Sequence, residues 1–335
     1  MKKWHYPFLA FLLIGTILIL SEKRSKYRTD VGEIFGTKYK ITYYHSTTLH
    51  NKIQKRLYQV DNSLSMFNDS SIVSIINRNG KIRPDSMFTQ VFSLAKSIST
   101  LTDGAFDITV APLVNAWGFG FEEACNITPD VIDSIMSFVG YELVELLDGE
   151  IVKSDPRITL DFSAIAKGFG VDMTASLLED EGVYNYMVEI GGEIALKGVN
   201  AKGETWKIGI NTPEIDSIEI NNGLQAIMTL SDKCMATSGN YRNYYYKDGR
   251  KIAHTIDPRT GYPAEQNLLS ATVITSNCAI ADAYATAMMV MGLEEALSFL
   301  QKHQEVDAYL IYSDSLGNIL TTFTPNTQSY LFEEF

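Results

Sequence analysis

Apolar and polar positions change rhythm along this chain, and each change marks an element. Gly36–Tyr44 alternates residue by residue, the pattern of a half-buried strand. Leu49, Ile53, Leu57, Val60 and Leu64 then recur at three- and four-residue steps, which predicts a helix with one apolar stripe. Ser65–Asn77 reads as a loop followed by a short Ser-capped helix. Asp85 is placed to cap a helix over Met87–Leu101, closed by the turn Thr102-Asp103-Gly104. Thr128-Pro129-Asp130 opens another helix, and Gly140 ends it.

From Tyr141 onward short strands dominate. Glu142–Leu147 and Glu150–Ser154 flank Asp148-Gly149, a hairpin turn signal. Ile158–Phe162 reads as a strand that runs through Ser163 into a helix over Ala164–Glu179. Tyr186–Ile190, Glu193–Val199, Trp206–Asn211, Leu224–Leu230 and Leu268–Ser276 are further strands. Helices over Cys278–Met291 and Leu293–His303 and strands Asp307–Tyr312 and Asn318–Phe323 complete the chain. The expectation is a mixed α/β (α+β) fold with much antiparallel sheet. No P-loop, no strand–GxGxxG–helix fingerprint and no internal repeat is present, so a doubly wound nucleotide fold is not expected.

The N-terminus has a texture of its own. Lys2 and Lys3 precede Phe8–Leu20, a run of 13 residues that is apolar apart from Gly15 and Thr16. Ser21 and a basic patch (Lys23, Arg24, Lys26, Arg28) follow. This is the layout of a signal peptide or a short signal anchor over residues 1–28, shorter than a comfortable membrane span. One globular domain over residues 29–335, outside the cytoplasm, is the expectation. No Cys follows the run, so a lipoprotein anchor is not expected.

Composition adds limits. With 45% apolar and 20% charged residues the chain is ordinary for a globular protein, which excludes disordered and fibrous classes. A net charge of −12 argues against a nucleic-acid-binding surface. It leaves room for a phosphorylated ligand, whose charge a bound cation can offset. Cys125, Cys234 and Cys278 are too few and too far apart for a disulfide framework or a zinc pattern.

Candidate chemistry concentrates towards the C-terminus. Asp282 and Thr286 lie one turn apart on one face of a helix rich in Ala and Met. Both are hard oxygen donors, suited to Mg²⁺ or Ca²⁺. An acid inside a buried helix is costly unless it is paired or metal-bound. His254 stands three residues before Asp257, beside the turn Asp257-Pro258-Arg259-Thr260-Gly261, and His is suited to deprotonate a hydroxyl near neutral pH. In Asp161–Asp172 the small residues Ser163, Ala164, Ala166 and Gly168 let a ligand approach backbone, or serve tight packing alone. Gly191-Gly192 reads as a turn, or as a flat backbone surface under a ligand. Thr102–Pro112 and Trp117–Gly120 read as a core-anchored loop, or as a pocket wall for an aromatic ring system.

In series these segments resemble the ApbE family of FAD:protein FMN transferases. The matching pieces are Gly36-Thr37, Leu64–Asn68, Thr102–Gly120, Asp161–Asp172, Val188–Ile194, Thr237–Tyr241, His254–Pro263 and Ala281–Gly292. Departures are Phe67 where the family often has Tyr, and Phe162-Ser163 where Leu-Gly is common. The resemblance implies an ApbE-like fold of two lobes around a central site for FAD and Mg²⁺. It implies that Asp282, Thr286 and the backbone carbonyl of Ala164 hold Mg²⁺. Phe67 and Asn68 would sit at the adenine end of FAD, with Ala105, Phe106, Asp107, Asp161, Lys167 and the backbone near Thr255 as further FAD contacts. His254 and Asp257 would lie near the reacting phosphate. The implied reaction moves FMN from FAD to a Thr hydroxyl of a target protein and releases AMP. The implied target is a subunit of a membrane redox pump. FAD hydrolysis to FMN and AMP, or FAD carriage without chemistry, are the alternatives on the same residues.

Overall fold

Helix starts follow their capping residues. Ser71 Oγ accepts from Ser74 N at 3.1 Å, Asp85 Oδ1 from Phe88 N at 2.8 Å, and the Thr128 side chain from Val131 N. The structure, a computed structural model, describes residues 11, 26–120, 127–213, 223–240, 244–247, 250–264 and 266–335. Phe8–Leu20, apart from position 11, and Cys125 lie outside these residues.

The chain begins with the hairpin β1 (Lys26–Ile34) and β2 (Thr37–His45). Helices α1 (His50–Leu64), α2 (Ile72–Asn77), α3 (Ser86–Leu101), α4 (Ala111–Ala116) and α5 (Pro129–Met136) follow. The small hairpin β3 (Val144–Leu147) and β4 (Glu150–Lys153) leads to α6 (Ala166–Asp180). Next come β5 (Tyr186–Ile190), β6 (Glu193–Lys197), β7 (Trp206–Asn211), β8 (Leu224–Leu230) and β9 (Lys233–Gly239). After β10 (Tyr244–Lys247), β11 (Arg250–Ala253) and β12 (Leu268–Thr275) comes the long helix α7 (Cys278–Lys302). Strands β13 (Asp307–Ser313), β14 (Ile319–Phe323) and β15 (Leu331–Glu334) end the chain.

An eight-stranded sheet in the order β1-β2-β5-β6-β9-β12-β13-β14 forms the frame, and every pairing in it is antiparallel. A three-stranded sheet β15-β8-β7 packs on one of its faces through Trp206, Ile208, Met228, Ile274 and Tyr309. Helices α1 and α6 cover the other face at β2 and β5, where Ile41, Tyr43, Ile53, Leu57, Val171 and Val188 are buried. Helix α7 lies against β9, β12 and α6, and is buried on nearly all sides as far as Gly292. Gly292 leaves helical geometry (φ 74°, ψ −178°), the break between the two helices expected from the sequence.

Some expectations are corrected. Ile158–Phe162 forms no strand. Its side chains Ile158, Leu160 and Phe162 are fully buried, but its backbone is met by a side chain. Asn77 donates to Leu160 O at 2.9 Å and accepts from Leu160 N at 2.8 Å. The following helix starts at Ala166, not Ala164. Lys26–Arg28, placed with the leader, are the first residues of β1, because their partners Tyr43, Tyr44 and His45 in β2 supply the pairing. Strand β9, which sits in mid-sheet between β6 and β12, is not among the strands expected from the sequence.

Two contacts hold α7 in place. A Cβ on Gly168 of α6 would stand 2.4 Å from Cys278 O and 2.8 Å from Ala279 Cα, so only glycine allows α6 this close. From the next turn of α6, Asp172 accepts from Cys278 N at 2.8 Å and Ala279 N at 2.9 Å, capping α7 together with Asn277. Burial pushes the Asp172 carboxyl up to about 6 from 3.8, against the pull of these N–H donors.

Two outcomes are expected. Gly168→Val should lower the unfolding free energy in urea by at least about 2 kcal/mol, since neither backbone can yield; a change below about 0.5 kcal/mol would refute the contact. For Asp172, the folded pKa is raised, so its contribution to stability is present below the unfolded value and is lost as pH rises through about 6. Asp172→Asn should therefore gain on the parent protein as pH rises from about 4 to about 7. A stability difference that does not vary with pH would contradict this.

Candidate active site

A cleft of about 950 Å³ opens where α6, α7 and the sheet meet the loops after α3 and β11. That is near the top of the roughly 300–1,000 Å³ range of small-molecule sites. Ala105, Phe106, Asp107, Val110, Val114 and Gly118–Gly120 form one wall. Asp161, Ser163 and Ala164 ahead of α6 and Lys167 in its first turn face them, with Gly191 and Glu193, Thr237–Gly239, Asp282 and Thr286. His254, Thr255, Ile256 and Pro258 close a third side.

Local structure explains each wall. Gly191 (φ 66°) and Gly192 (φ 109°) make the two-residue turn between β5 and β6, with Ile190 paired to Glu193. The turn carries Glu193 into the cleft at the first position of β6. Asp107 shapes the opposite loop: its Oδ1 accepts from Thr109 N and Oγ1, each at 2.7 Å, and its Oδ2 from Tyr141 N at 2.7 Å. Burial raises the Asp107 carboxyl against those bonds. Burial likewise raises Asp161, whose Oδ1 accepts from Ser163 N at 2.7 Å.

Helix α7 brings two oxygen donors to the deepest part. Asp282 is 2% exposed, so its charge must be met inside the protein. Gly168 N donates to Asp282 Oδ2 at 3.1 Å, and Lys167 Nζ stands 3.3 Å from Oδ1. One turn along, Thr286 Oγ1 is 3.1 Å from Ser238 Oγ on β9. Lys167 also meets Glu193 Oε1 at 2.9 Å. Burial pulls the Lys167 ammonium down, but the charges of Asp282 and Glu193 outweigh it and hold the proton on firmly. Burial and the Asp282 charge push Glu193 up to about 7, against the attraction of Lys167. Among the described residues Glu193 Oε2 is buried without a hydrogen-bond partner.

Among the described residues no three His, Cys, Asp or Glu side chains cluster as a metal site. Asp282, the hydroxyl of Thr286 and the Ala164 backbone line the cleft as oxygen donors, beside the further carboxyls of Asp107, Asp161 and Glu193. This all-oxygen set suits Mg²⁺ or Ca²⁺ rather than a soft metal. Lys167 already touches Asp282, and Glu193 as well.

Eleven of the thirteen expected site residues line the cleft: Phe67, Ala105, Phe106, Asp107, Asp161, Ala164, Lys167, His254, Thr255, Asp282 and Thr286. His254 meets Phe119 edge to face, with ring centroids 6.3 Å apart. The Thr255 hydroxyl donates to the Asn240 side chain. Phe67 stands at the rim, 67% exposed. Asn68 and Asp257 do not line the cleft. Asn68 builds its own turn, donating to Asp61 at 2.8 Å and accepting from Ser70 Oγ at 2.7 Å. Asp257 is gripped by Arg259, with Nε–Oδ1 and Nη2–Oδ2 both at 3.0 Å, and Trp117 Nε1 donates to Gly261 O of the same turn at 2.9 Å. Sequence reasoning gave no role to Glu193 or Ser238. The signal for Glu193 was an acid directly after the Gly-Gly turn.

The ApbE family profile matches residues 35–310. A FAD:protein FMN transferase of Vibrio cholerae serotype O1 is 36% identical over 315 residues, spanning 91% of this chain and 92% of that protein. Its counterpart in Escherichia coli K12 is 33% identical over 298 residues, spanning 86% and 83%. The solved structure of flavin transferase ApbE from Vibrio cholerae superposes with a TM-score of 0.82 at 33% identity, covering 92% of this chain and 100% of that one. Every cleft-lining residue falls inside the matched segment, and this chain belongs to the ApbE family.

Proposed function

We propose that this protein binds FAD in the cleft and, with Mg²⁺, transfers FMN to a Thr hydroxyl of a target protein, releasing AMP. Flavin transfer is the activity for which its relatives are named. The observation that carries this reading is the meeting of Asp282 and Thr286 of α7 with His254, from the loop after β11, in one cleft.

Asp282, Thr286 and the Ala164 carbonyl would hold the ion. A bound Mg²⁺ supplies charge neutralisation at the phosphoryl oxygens. The chain's own residues do the rest. His254 takes the proton of the acceptor hydroxyl, which is a poor nucleophile until deprotonated. The hydroxyl oxygen bonds to the phosphorus on the FMN side, the bond from that phosphorus to the bridging oxygen breaks, and AMP leaves with the electron pair. Phe119, edge-on to His254, restrains the imidazole. Asp257 serves at one remove, since its Arg259 pair stiffens the turn that follows His254.

Protein lacking the segment before β1, given FAD, Mg²⁺ and a Thr-bearing target, should leave the target fluorescent on a denaturing gel, with AMP in equal amount. AMP accompanied by free FMN would establish hydrolysis instead, and no AMP would leave only carriage. Asp282→Ala should slow transfer by at least about 100-fold, equivalent to about 2.7 kcal/mol of barrier. His254→Ala should cost roughly 10²–10⁴-fold in rate while FAD affinity stays close to the parent value. An equal loss of FAD binding would make His254 a binding residue.

Export is also part of the proposal. It rests on Lys2 and Lys3 ahead of the apolar run Phe8–Leu20. Among the described residues no helix is long and apolar enough to cross a membrane. The proposed target, a subunit of a membrane redox pump, would be met on the outer face of the cytoplasmic membrane. Protease added to spheroplasts should digest the folded part while a cytoplasmic marker survives. Survival of both would place the enzyme inside.

A further inference from the structure

Lys167 lies between two buried carboxylates and favours one of them. Its Nζ is 2.9 Å from Glu193 Oε1, but 3.3 Å and 3.5 Å from the oxygens of Asp282. The second oxygen of Glu193 is buried and, among the described residues, has no hydrogen-bond partner, in a residue only 4% exposed that lines the cleft. A buried carboxylate oxygen left without a donor costs free energy, so it calls for an explanation.

We infer that Lys167 is a built-in counter-cation for Asp282, and that Glu193 is the seat to which it withdraws when a divalent cation binds. The inference rests on the proposed Mg²⁺ role of Asp282 and Thr286. In the metal-free protein the ammonium neutralises Asp282, whose charge would otherwise be buried with, among the described residues, only the Gly168 N–H to meet it. A divalent cation at Asp282 must displace it, because two cations cannot share the same carboxylate closely. The ammonium has three donors and already holds Glu193 Oε1. Turning wholly onto Glu193 would satisfy the orphaned Oε2. Glu193 is thus a positioning residue: it acts on metal affinity through Lys167 and touches neither ion nor flavin. Its place fits the role, since the Gly191-Gly192 turn fixes Glu193 on β6 and the first turn of α6 fixes Lys167.

The test uses FAD-free protein and Mg²⁺ alone, read by calorimetric titration and by the Mg²⁺-induced rise in melting temperature. Glu193→Gln should raise the Mg²⁺ Kd at least about tenfold, because Gln holds the ammonium less well and Lys167 stays on Asp282. Lys167→Met should bind Mg²⁺ more tightly than the parent, and show a lower melting temperature without metal and a larger rise with it. In the double variant the effect of Glu193→Gln should largely vanish, since there is no ammonium left to hold. If the double variant stays as weak as Glu193→Gln, Glu193 acts by charge or direct contact and the inference is overturned. Parent-like affinity in Glu193→Gln also overturns it. Should Glu193→Gln not fold, Lys167→Met decides alone, and weaker binding there is fatal to the idea. A parent protein that binds no Mg²⁺ would remove the metal reading itself, an outcome separate from the others.

Discussion

Asp282 is a carboxylate inside a helix buried on nearly all sides, and the architecture around it is built to make that tolerable. Removing one partner of a buried ion pair typically costs roughly 3–5 kcal/mol. Here the partners are Lys167 and the backbone N–H of Gly168, both at the start of α6. They reach Asp282 only because α6 and α7 touch at Gly168, where a methyl group would strike Cys278 O. Asp172, one turn further along α6, ties down the first N–H groups of α7. One helix crossing therefore fixes the position, the charge balance and the orientation of the deepest acid in the cleft.

The antiparallel sheet delivers the remaining groups to the same place. The β5–β6 turn ends at Glu193, and β9 presents Ser238 against Thr286. Opposite them, Leu113, Trp117, Ile132 and Ile256 bury one another in a small core that joins α4 and α5 to the turn after His254. This small core stiffens the side of the cleft that carries His254 through its own apolar contacts. A chain with a net charge of −12 keeps a half-buried lysine, its proton held on by two carboxylates, at the meeting point. A phosphorylated ligand would meet this local cation and not the average surface.

Patterns of burial were legible in the sequence; patterns of pairing were less so. Ile158, Leu160 and Phe162 alternate as a strand would, and all three are buried as the alternation implies. Yet their backbone is satisfied by the Asn77 side chain and by Ile108 O, which takes Asp161 N at 2.6 Å. Alternation reports which side chains face the core, while a ladder depends on what the rest of the chain brings alongside. Strand β9 illustrates the converse. Its sequence, KCMATSG, has small and polar residues that read as a motif rather than a strand, and its place between β6 and β12 makes it one.

By itself the sequence determined the antiparallel-rich α/β class, the helix caps, the break at Gly292, and the pairing of Asp282 with Thr286 on one helical face. These depend on neighbours within a turn or two, where backbone geometry leaves few choices. The resemblance it carries also pointed to most of the side chains that line the cleft. Only the tertiary structure decided that Asp257 and Asn68 engage in local bonds and are not among the cleft lining. It alone joined Lys167, Glu193 and Asp282 into one charged cluster, and left one oxygen of Glu193 unmatched. Those three residues lie on two helices and a strand, far apart along the chain. Charges so separated meet only when the whole core closes around them, and then their desolvation sets which partner each must find.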